Sequence, residues 1–279
     1  MTKCLRLPEP RGSSTRYNGK YLNWLFENFG TPTPATTDLR FGQIPGQTRL
    51  DSAKAVATNV VTSNANLRIG LARFNTPGSP DQGPGGRVIQ DCGASTSALT
   101  SAISSLTAST NTPLAETYYE ITRYFRGMSS YWNSGVTYAS PIQYRCQKNF
   151  VVVITDGFPT WDSAFPANDP QDVAITTAAL PNWDGLAPAS ALADFPAFPA
   201  YSDGFQPAGT VATEGFSLYL DDLAKFGFDI DLRTGGTDLT GASFDETGRF
   251  KQQNLVTYTI GLTVSNQMMA DAAKYGDGT

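Results

Sequence analysis

The sequence KNFVVVITDG, residues 148–157, contains the clearest strand pattern in this chain of 279 residues. Residues 150–154 are continuously apolar, which is typical of a strand covered on both faces within a parallel sheet. We therefore expect a central β-strand here, with Asp156 at its carboxyl end. Open α/β folds bind their ligands beyond the carboxyl ends of the strands.

Helix and strand patterns alternate on both sides of this strand. In chain order they predict a helix over 51–61, strands over 67–74 and 86–90, a helix over 99–106, a helix from Thr112-Pro113 to Phe125, a helix over 216–227 capped by Gly227, a strand over 255–262 and a last helix capped by Ser265. This alternation predicts an α/β fold in which helices flank a parallel sheet. In the helix predicted over 51–61, Val56, Val60 and Val61 share the face that we expect to be buried.

Two stretches interrupt these patterns. Residues 1–48 are rich in Pro, Gly and Thr, and we expect an irregular N-terminal segment with one short helix over the aromatic residues 17–26. Residues 158–211 are rich in proline and predict a long insertion without regular structure. The expected organisation is an N-terminal segment over 1–48 and one domain over 49–279 that carries the insertion.

Composition restricts the classes of function. The net charge is −5 and Lys and Arg do not cluster, so we expect no nucleic-acid partner. No apolar run is long enough to span a membrane. The N-terminal sequence MTKCLRLPEP lacks the apolar stretch of a signal peptide, so we expect either a cytosolic protein or a true start upstream of Met1. Only 16% of residues are charged, against roughly 25% in typical soluble domains, and such a polar but uncharged surface is common in secreted proteins.

Histidine and cysteine usage excludes several kinds of site. The chain contains no histidine, which excludes Ser-His-Asp and Cys-His catalysis and histidine-ligated metals. The three cysteines, Cys4, Cys92 and Cys146, lie too far apart in sequence for a Cys-x-x-Cys zinc or redox site. In an oxidising compartment we expect a disulfide between Cys92 and Cys146. Three unpaired thiols are the alternative.

A hydroxyl and a carboxylate stand where a cation site would need them. Thr112 lies at a predicted helix start, and Asp156 lies at the end of the predicted central strand, before Gly157. Mg²⁺ and Ca²⁺ prefer such oxygen ligands and need more than two of them. The alternatives are that Thr112 only caps its helix and that Asp156 only occupies a turn.

Two segments taken together resemble the metal-ion-dependent adhesion site of von Willebrand factor A domains. They are TNTPLAET at 110–117 and VVVITDG at 151–157, in the order that this site requires. The resemblance implies a Rossmann-like von Willebrand factor A fold. It also implies that Thr112 and Asp156 are ligands of Mg²⁺ or Ca²⁺.

The flanking sequence is similar to the N-terminal region of PilY-type type IV pilus tip proteins. The similar segments are YNGKYLNWLF at 17–26, RLDSAKAV at 49–56, QYRCQKNFVVVITDGFPT at 143–160, LDDLAKFGFDIDLR at 220–233 and QNLVTYTIGL at 253–262. This resemblance implies a non-enzymatic adhesion and assembly module that is exported through the periplasm to the pilus tip or the outer membrane. Its implied partners are minor pilins and a host or abiotic surface, and its implied roles are pilus biogenesis, twitching motility and attachment.

One part of the resembled site is missing from this sequence. The first element of the adhesion site has the form Asp-x-Ser-x-Ser, and the nearest match, DCGAS at 91–95, has Gly at its middle position. We therefore expect this element to lie upstream of Met1 and the domain to be incomplete here. The expected consequence is weak or absent binding of divalent cations by residues 1–279.

Two other functions remain open. One is a structural domain whose metal site is vestigial. The other is a hydrolase that uses paired carboxylates such as Asp221 with Asp222 or Asp229 with Asp231, which we expect to be solvated. Glycine-rich phosphate-binding loops are absent from the sequence, which disfavours a nucleotide enzyme.

Overall fold

The chain is described here by a computed structural model. The structure describes residues 3–6, 19–32, 35, 37–39, 48–76, 84–156, 159–169, 179–186, 218–262 and 267–278. It divides into two compact units, Met1–Thr48 and Arg49–Thr279.

The smaller unit combines one helix with a small sheet. Its elements are β1 (Lys3–Arg6), α1 (Gly19–Phe29), β2 (Thr31–Pro32) and β3 (Thr37–Asp38). Strand β1 lies between the other two, antiparallel to β2 and parallel to β3. The predicted short helix is confirmed, and the described residues add three short strands to a segment that the sequence predicted to be otherwise irregular. Leu25 and Leu39 are buried and supply the apolar contacts that such a small unit needs.

The larger unit is mixed α/β. Its elements are α2 (Arg49–Ser63), β4 (Leu71–Phe74), β5 (Gly86–Gln90), α3 (Thr96–Ser105), α4 (Leu114–Arg126), β6 (Asn149–Thr155), a 3-10 helix (Leu180–Asn182), α5 (Leu220–Asp229), β7 (Leu255–Gly261) and α6 (Gln267–Tyr275). Strands β4 and β5 form an antiparallel pair. Strands β6 and β7 form a parallel pair in register from Asn149 with Leu255 to Thr155 with Gly261. The α/β class and the predicted helices and strands are therefore confirmed. The prediction of one parallel sheet is wrong for the described residues, because their strands in this unit form one antiparallel and one parallel pair.

One apolar core joins the two strand pairs. Helix α4 contacts both β4 and β5 on one side and α5 on the other. Its buried residues Leu114 and Tyr118 belong to the same cluster as Leu223 of α5 and Leu255 of β7. Val88 of β5 and Val151 and Val153 of β6 pack against this cluster. Helix α4 therefore holds the two pairs of strands in one body.

Strand β6 has one covered face and one exposed face. Phe150 and Val152 are 49% and 47% exposed, and Tyr258 on β7 is 53% exposed. Among the described residues, β7 is the only strand that pairs with β6. The prediction of a central strand buried on both faces is therefore wrong for this part of the chain. A continuous apolar run favours a strand, but it does not determine how many neighbours cover that strand.

Several boundaries and buried faces differ from the sequence predictions. Strand β4 begins at Leu71, four residues later than predicted. In α2 only Val61 is buried, because this helix contacts α3, while Val56 and Val60 are exposed. Gly227 lies inside α5 and not at its end. A Cβ atom at this position would stand 3.0 Å from the Tyr118 hydroxyl. The close approach of α4 to α5 explains this glycine better than a helix cap does. Ser265 and Phe216 lie outside the described residues.

The described parts of the predicted insertion belong to the core. Residues 159–169 and 179–186 include the buried side chains Phe165, Leu180 and Trp183. Trp183 stacks edge-to-face on Phe226 of α5 and donates a hydrogen bond to Asp229. Regular structure in these residues is limited to the 3-10 helix Leu180–Asn182, as the prediction of an insertion without regular structure expects, but their side chains are packed into the core. No helix in the described part of the chain is long and apolar enough to cross a membrane.

Candidate functional site at the carboxyl end of β6

Asp156 follows directly after the last residue of β6 and is exposed. Its carboxylate lies 3.7 Å from Nη1 of Arg49, the first residue of α2. The same Arg49 nitrogen donates a 3.0 Å hydrogen bond to the Asp156 carbonyl. The arginine therefore contacts both the backbone and the side chain of Asp156. Since both side chains are about half exposed, this pair adds little to stability.

Thr112 is held next to the segment that follows Asp156. Its backbone N–H donates to the Thr160 hydroxyl at 3.1 Å, and its carbonyl accepts from the Thr160 N–H at 3.1 Å. The same carbonyl accepts the Leu114 N–H at the start of α4. Thr112 is therefore hydrogen-bonded to Thr160, which lies four residues after Asp156 in the chain.

The start of α4 is capped by a carboxylate distant in sequence. Asp162 accepts the N–H groups of Ala115 and Glu116 at 2.9 and 2.8 Å. The helix begins at Leu114, and its N-cap residue is Pro113, which has no capping side chain. The prediction that Thr112 caps this helix is therefore wrong. A carboxylate serves well in this position, because it satisfies two N–H groups that the helix leaves unpaired.

Glu116 connects three parts of the fold. Its carboxylate accepts the Gly85 N–H before β5 and the Ala164 N–H after β6. Both Glu116 and Asp162 are buried. Burial, followed by the negative charge of Glu116, raises the pKa of Asp162 well above its ordinary value. Sequence reasoning missed these two carboxylates, because the spacing between residues 116 and 162 matches no local motif.

The ligand set at this end of β6 suits a hard cation in kind but not in number. Thr112 and Asp156 supply a hydroxyl and a carboxylate, which are ligand types that Mg²⁺ and Ca²⁺ accept. Two side chains leave at least four of about six coordination positions to other ligands or water. Within the described residues, no group of three or more Cys, Asp or Glu side chains is arranged to hold a metal ion. A cation on Asp156 would also have to displace Arg49 from the carboxylate or share the carboxylate with it.

The carboxylates considered for hydrolysis are less solvated than expected. Asp221 and Asp222 are both buried at the start of α5, so the prediction that they are solvated is wrong. Asp222 accepts the backbone N–H of Asp184 at 3.2 Å. Burial, followed by the charge of Asp184, raises the pKa of Asp222 to about 8. Asp229 accepts hydrogen bonds from Trp183 and Lys225, so its carboxylate links Trp183 to α5.

The cysteines form no disulfide among the side chains described. Cys92 and Cys146 are both free thiols, so the predicted bond between them is wrong. The Cys92 N–H donates to the Tyr124 hydroxyl on α4, and the residue is partly buried there. Cys146 is exposed in the turn before β6. The Cys4 side chain lies outside the described part of the structure.

Comparisons with known protein families, with curated proteins and with solved structures give no match. Function is therefore inferred from the sequence motifs and from the residues at the carboxyl end of β6.

Proposed function

We propose that this chain is a non-enzymatic adhesion and assembly module of a type IV pilus tip protein, built on a von Willebrand factor A-like fold. In this proposal, Thr112 and Asp156 contribute to a Mg²⁺ or Ca²⁺ site whose remaining ligands come from outside the described residues and from a partner. The partners would be minor pilins and a host or abiotic surface. The protein would act at the cell surface, at the pilus tip or in association with the outer membrane.

The observation that carries this proposal is the position of the two candidate ligands. Asp156 follows a parallel strand directly, and Thr112 is hydrogen-bonded to the segment just after it. Ligand sites in open α/β folds lie at this end of the strands. The exposure of Asp156 supports contact with a partner, because a carboxylate from a second protein can reach a cation there without rearrangement of the core.

Arg49 favours a second candidate function. Its guanidinium lies 3.7 Å from the Asp156 carboxylate, where it supplies the positive charge that a cation would otherwise supply. A structural domain with a vestigial metal site would keep this ion pair and would need no metal. Substituting Arg49 separates the two candidates, because Arg49→Gln leaves a cation site intact but removes the ion pair.

The proposal is tested by replacing Asp156 in the bacterium that carries the gene. We expect Asp156→Ala to reduce twitching zones and surface attachment severalfold without lowering the amount of protein, because an exposed side chain contributes little to stability. Asp91→Ala is the matched control, since Asp91 is an exposed aspartate that directly follows β5. Twitching, attachment and protein abundance would be measured for both variants and for Arg49→Gln.

The outcomes separate the candidates. Loss of function in Asp156→Ala, with normal behaviour of Asp91→Ala and Arg49→Gln, supports a cation site. Equal loss in Asp156→Ala and Arg49→Gln would show that function requires the ion pair and not a cation, whereas normal behaviour of both variants supports the structural domain, because the exposed pair adds little to stability. Wild-type behaviour of Asp156→Ala contradicts a functional role for the site.

A further inference from the structure

An open cavity lies at the opposite end of α4 from Thr112. Its volume is about 320 Å³, and its lining residues are Arg126, Met128, Leu232, Arg233 and Thr234. Sites for small organic molecules in proteins start at about 300 Å³. The cavity is therefore large enough for a small ligand, and none of its lining residues belongs to the candidate cation site.

Arg126 forms a fixed wall of this cavity. Its Nη1 and Nη2 lie 2.6 and 3.0 Å from the two carboxylate oxygens of Asp169, and both side chains are buried. The guanidinium also lies 5.5 Å from the ring centre of Phe226. The charge of Arg126 is thus compensated within the protein, and this side chain has little freedom to move.

Arg233 is held in place but, among the described residues, has no carboxylate that compensates its charge. Its guanidinium carbon lies 4.6 Å from the ring centre of Phe244, which is buried. Among the described residues, no carboxylate forms an ion pair with Arg233. Its Nε is buried and has no hydrogen-bond acceptor in the described structure. A buried donor without an acceptor is unfavourable. Since Arg233 as a whole is only partly buried and lines the cavity, a ligand there can reach the rest of its guanidinium.

The charge and the lining together select a class of ligand. A stacked guanidinium is preorganised for two parallel hydrogen bonds to a planar carboxylate. Leu232, which is buried, and Met128 both line the cavity, so its wall is partly apolar. One uncompensated positive charge matches a monoanion better than a doubly charged phosphate.

We propose that this cavity binds a small organic monocarboxylate, with its carboxylate on Arg233 and its apolar part against Met128 and Leu232. This site does not depend on the proposed pilus function. A ligand here would contact the end of α4 and the loop after α5 at the same time.

The proposal is tested by NMR of the full chain labelled at its methionine methyl groups. Sodium acetate, sodium butyrate and sodium phosphate would be titrated at constant ionic strength while the Met128 methyl resonance is followed. We expect a saturable shift with butyrate, saturation at higher concentration with acetate, and no saturable shift with phosphate. The Met268 methyl, which is fully buried in the core, should not move and reports on folding.

Variants of Arg233 identify the binding group. Arg233→Gln should weaken butyrate binding by about tenfold or more, because it removes a charge-assisted pair of hydrogen bonds. Arg233→Lys should weaken it less, because lysine keeps the charge but not the planar fork. Arg249→Gln is the matched control, since Arg249 also lies over an aromatic ring, that of Phe250, but does not line the cavity. This control should bind butyrate like the wild type.

Several results would overturn the proposal. They are the lack of a saturable Met128 shift with butyrate, tighter binding of phosphate than of butyrate, and equal affinity in the wild type and Arg233→Gln. If Arg233→Gln shifts the Met268 resonance and so perturbs the fold, Arg233→Lys decides the matter. Wild-type butyrate affinity in Arg233→Lys would then contradict bidentate recognition.

Discussion

At the scale of single residues, carboxyl groups in this protein divide into exposed and buried sets with different roles. Asp91 and Asp156 are exposed at strand ends. Asp162 and Asp222 are buried, and both have a raised pKa caused first by burial and second by a neighbouring carboxyl group. Exposed carboxylates are available to partners, whereas the buried ones affect the stability of the fold.

Asp222 makes stability depend on pH in a defined direction. The pKa of Asp222 rises from its ordinary value of 3.8 to about 8 in the folded protein. Between these two values the folded state binds a proton that the unfolded state has released, so stability falls as pH rises. We predict that the free energy of unfolding decreases between about pH 4 and pH 8. Asp222→Asn should reduce this decrease, because the amide cannot ionise and keeps an oxygen to accept the Asp184 N–H.

Urea unfolding across this pH range checks the prediction. The wild type would be compared with Asp222→Asn and with Asp91→Asn, whose exposed carboxyl group should leave the pH dependence unchanged. The same pH dependence in the wild type and Asp222→Asn would show that Asp222 is not the titrating group.

At the scale of elements, the two faces of β6 differ in what they contact. Val153 packs against the main core, whereas Val152 is about half exposed. We predict that Val153→Thr lowers the free energy of unfolding by roughly 1–3 kcal/mol, because it puts a hydroxyl against apolar side chains. Val152→Thr should change it by less than about 0.5 kcal/mol. Chemical denaturation measures both changes, and equal losses in the two variants would contradict the assignment of the faces.

The sequence predicted where the helices and strands lie better than it predicted which of their faces are covered. Apolar spacing located α3, α4, β5, β6 and β7, because local periodicity is sufficient to identify an element. It did not identify which face of β6 or α2 is covered, because that depends on residues far away in the chain. Asp162 shows the same limit, since it caps α4 from a segment that follows β6. Gly227 has the spacing of a helix end, and only the contact with Tyr118 explains its place inside α5.

The candidate site was predicted in part. A helix start and a strand end can be located from local patterns, so the sequence indicated Thr112 and Asp156. Arg49 was not predicted to contact Asp156, because the two residues are 107 positions apart and no motif relates them. Arg233 was missed for a similar reason, since its stacking on Phe244 and its unpaired Nε depend on tertiary structure.

At the scale of the whole molecule, the larger unit carries both candidate sites on one core. Helix α4 joins the strand pairs in one core, with Thr112 just before its first turn and Arg126 in its last. The proposed cation site and the proposed carboxylate site thus occupy opposite ends of one helix. The central proposal is that the first site belongs to a type IV pilus tip protein.

The most direct test of that claim is to locate the protein in the bacterium that produces it. Pili would be sheared from cells and separated from them, and the protein would be quantified in both fractions by immunoblot. The same measurement in a strain without the major pilin is the control. We predict that the protein is enriched with the sheared pili and is lost from that fraction when the major pilin is absent. An equal amount in the sheared fraction of both strains, or its retention inside the cells, would contradict a pilus tip protein.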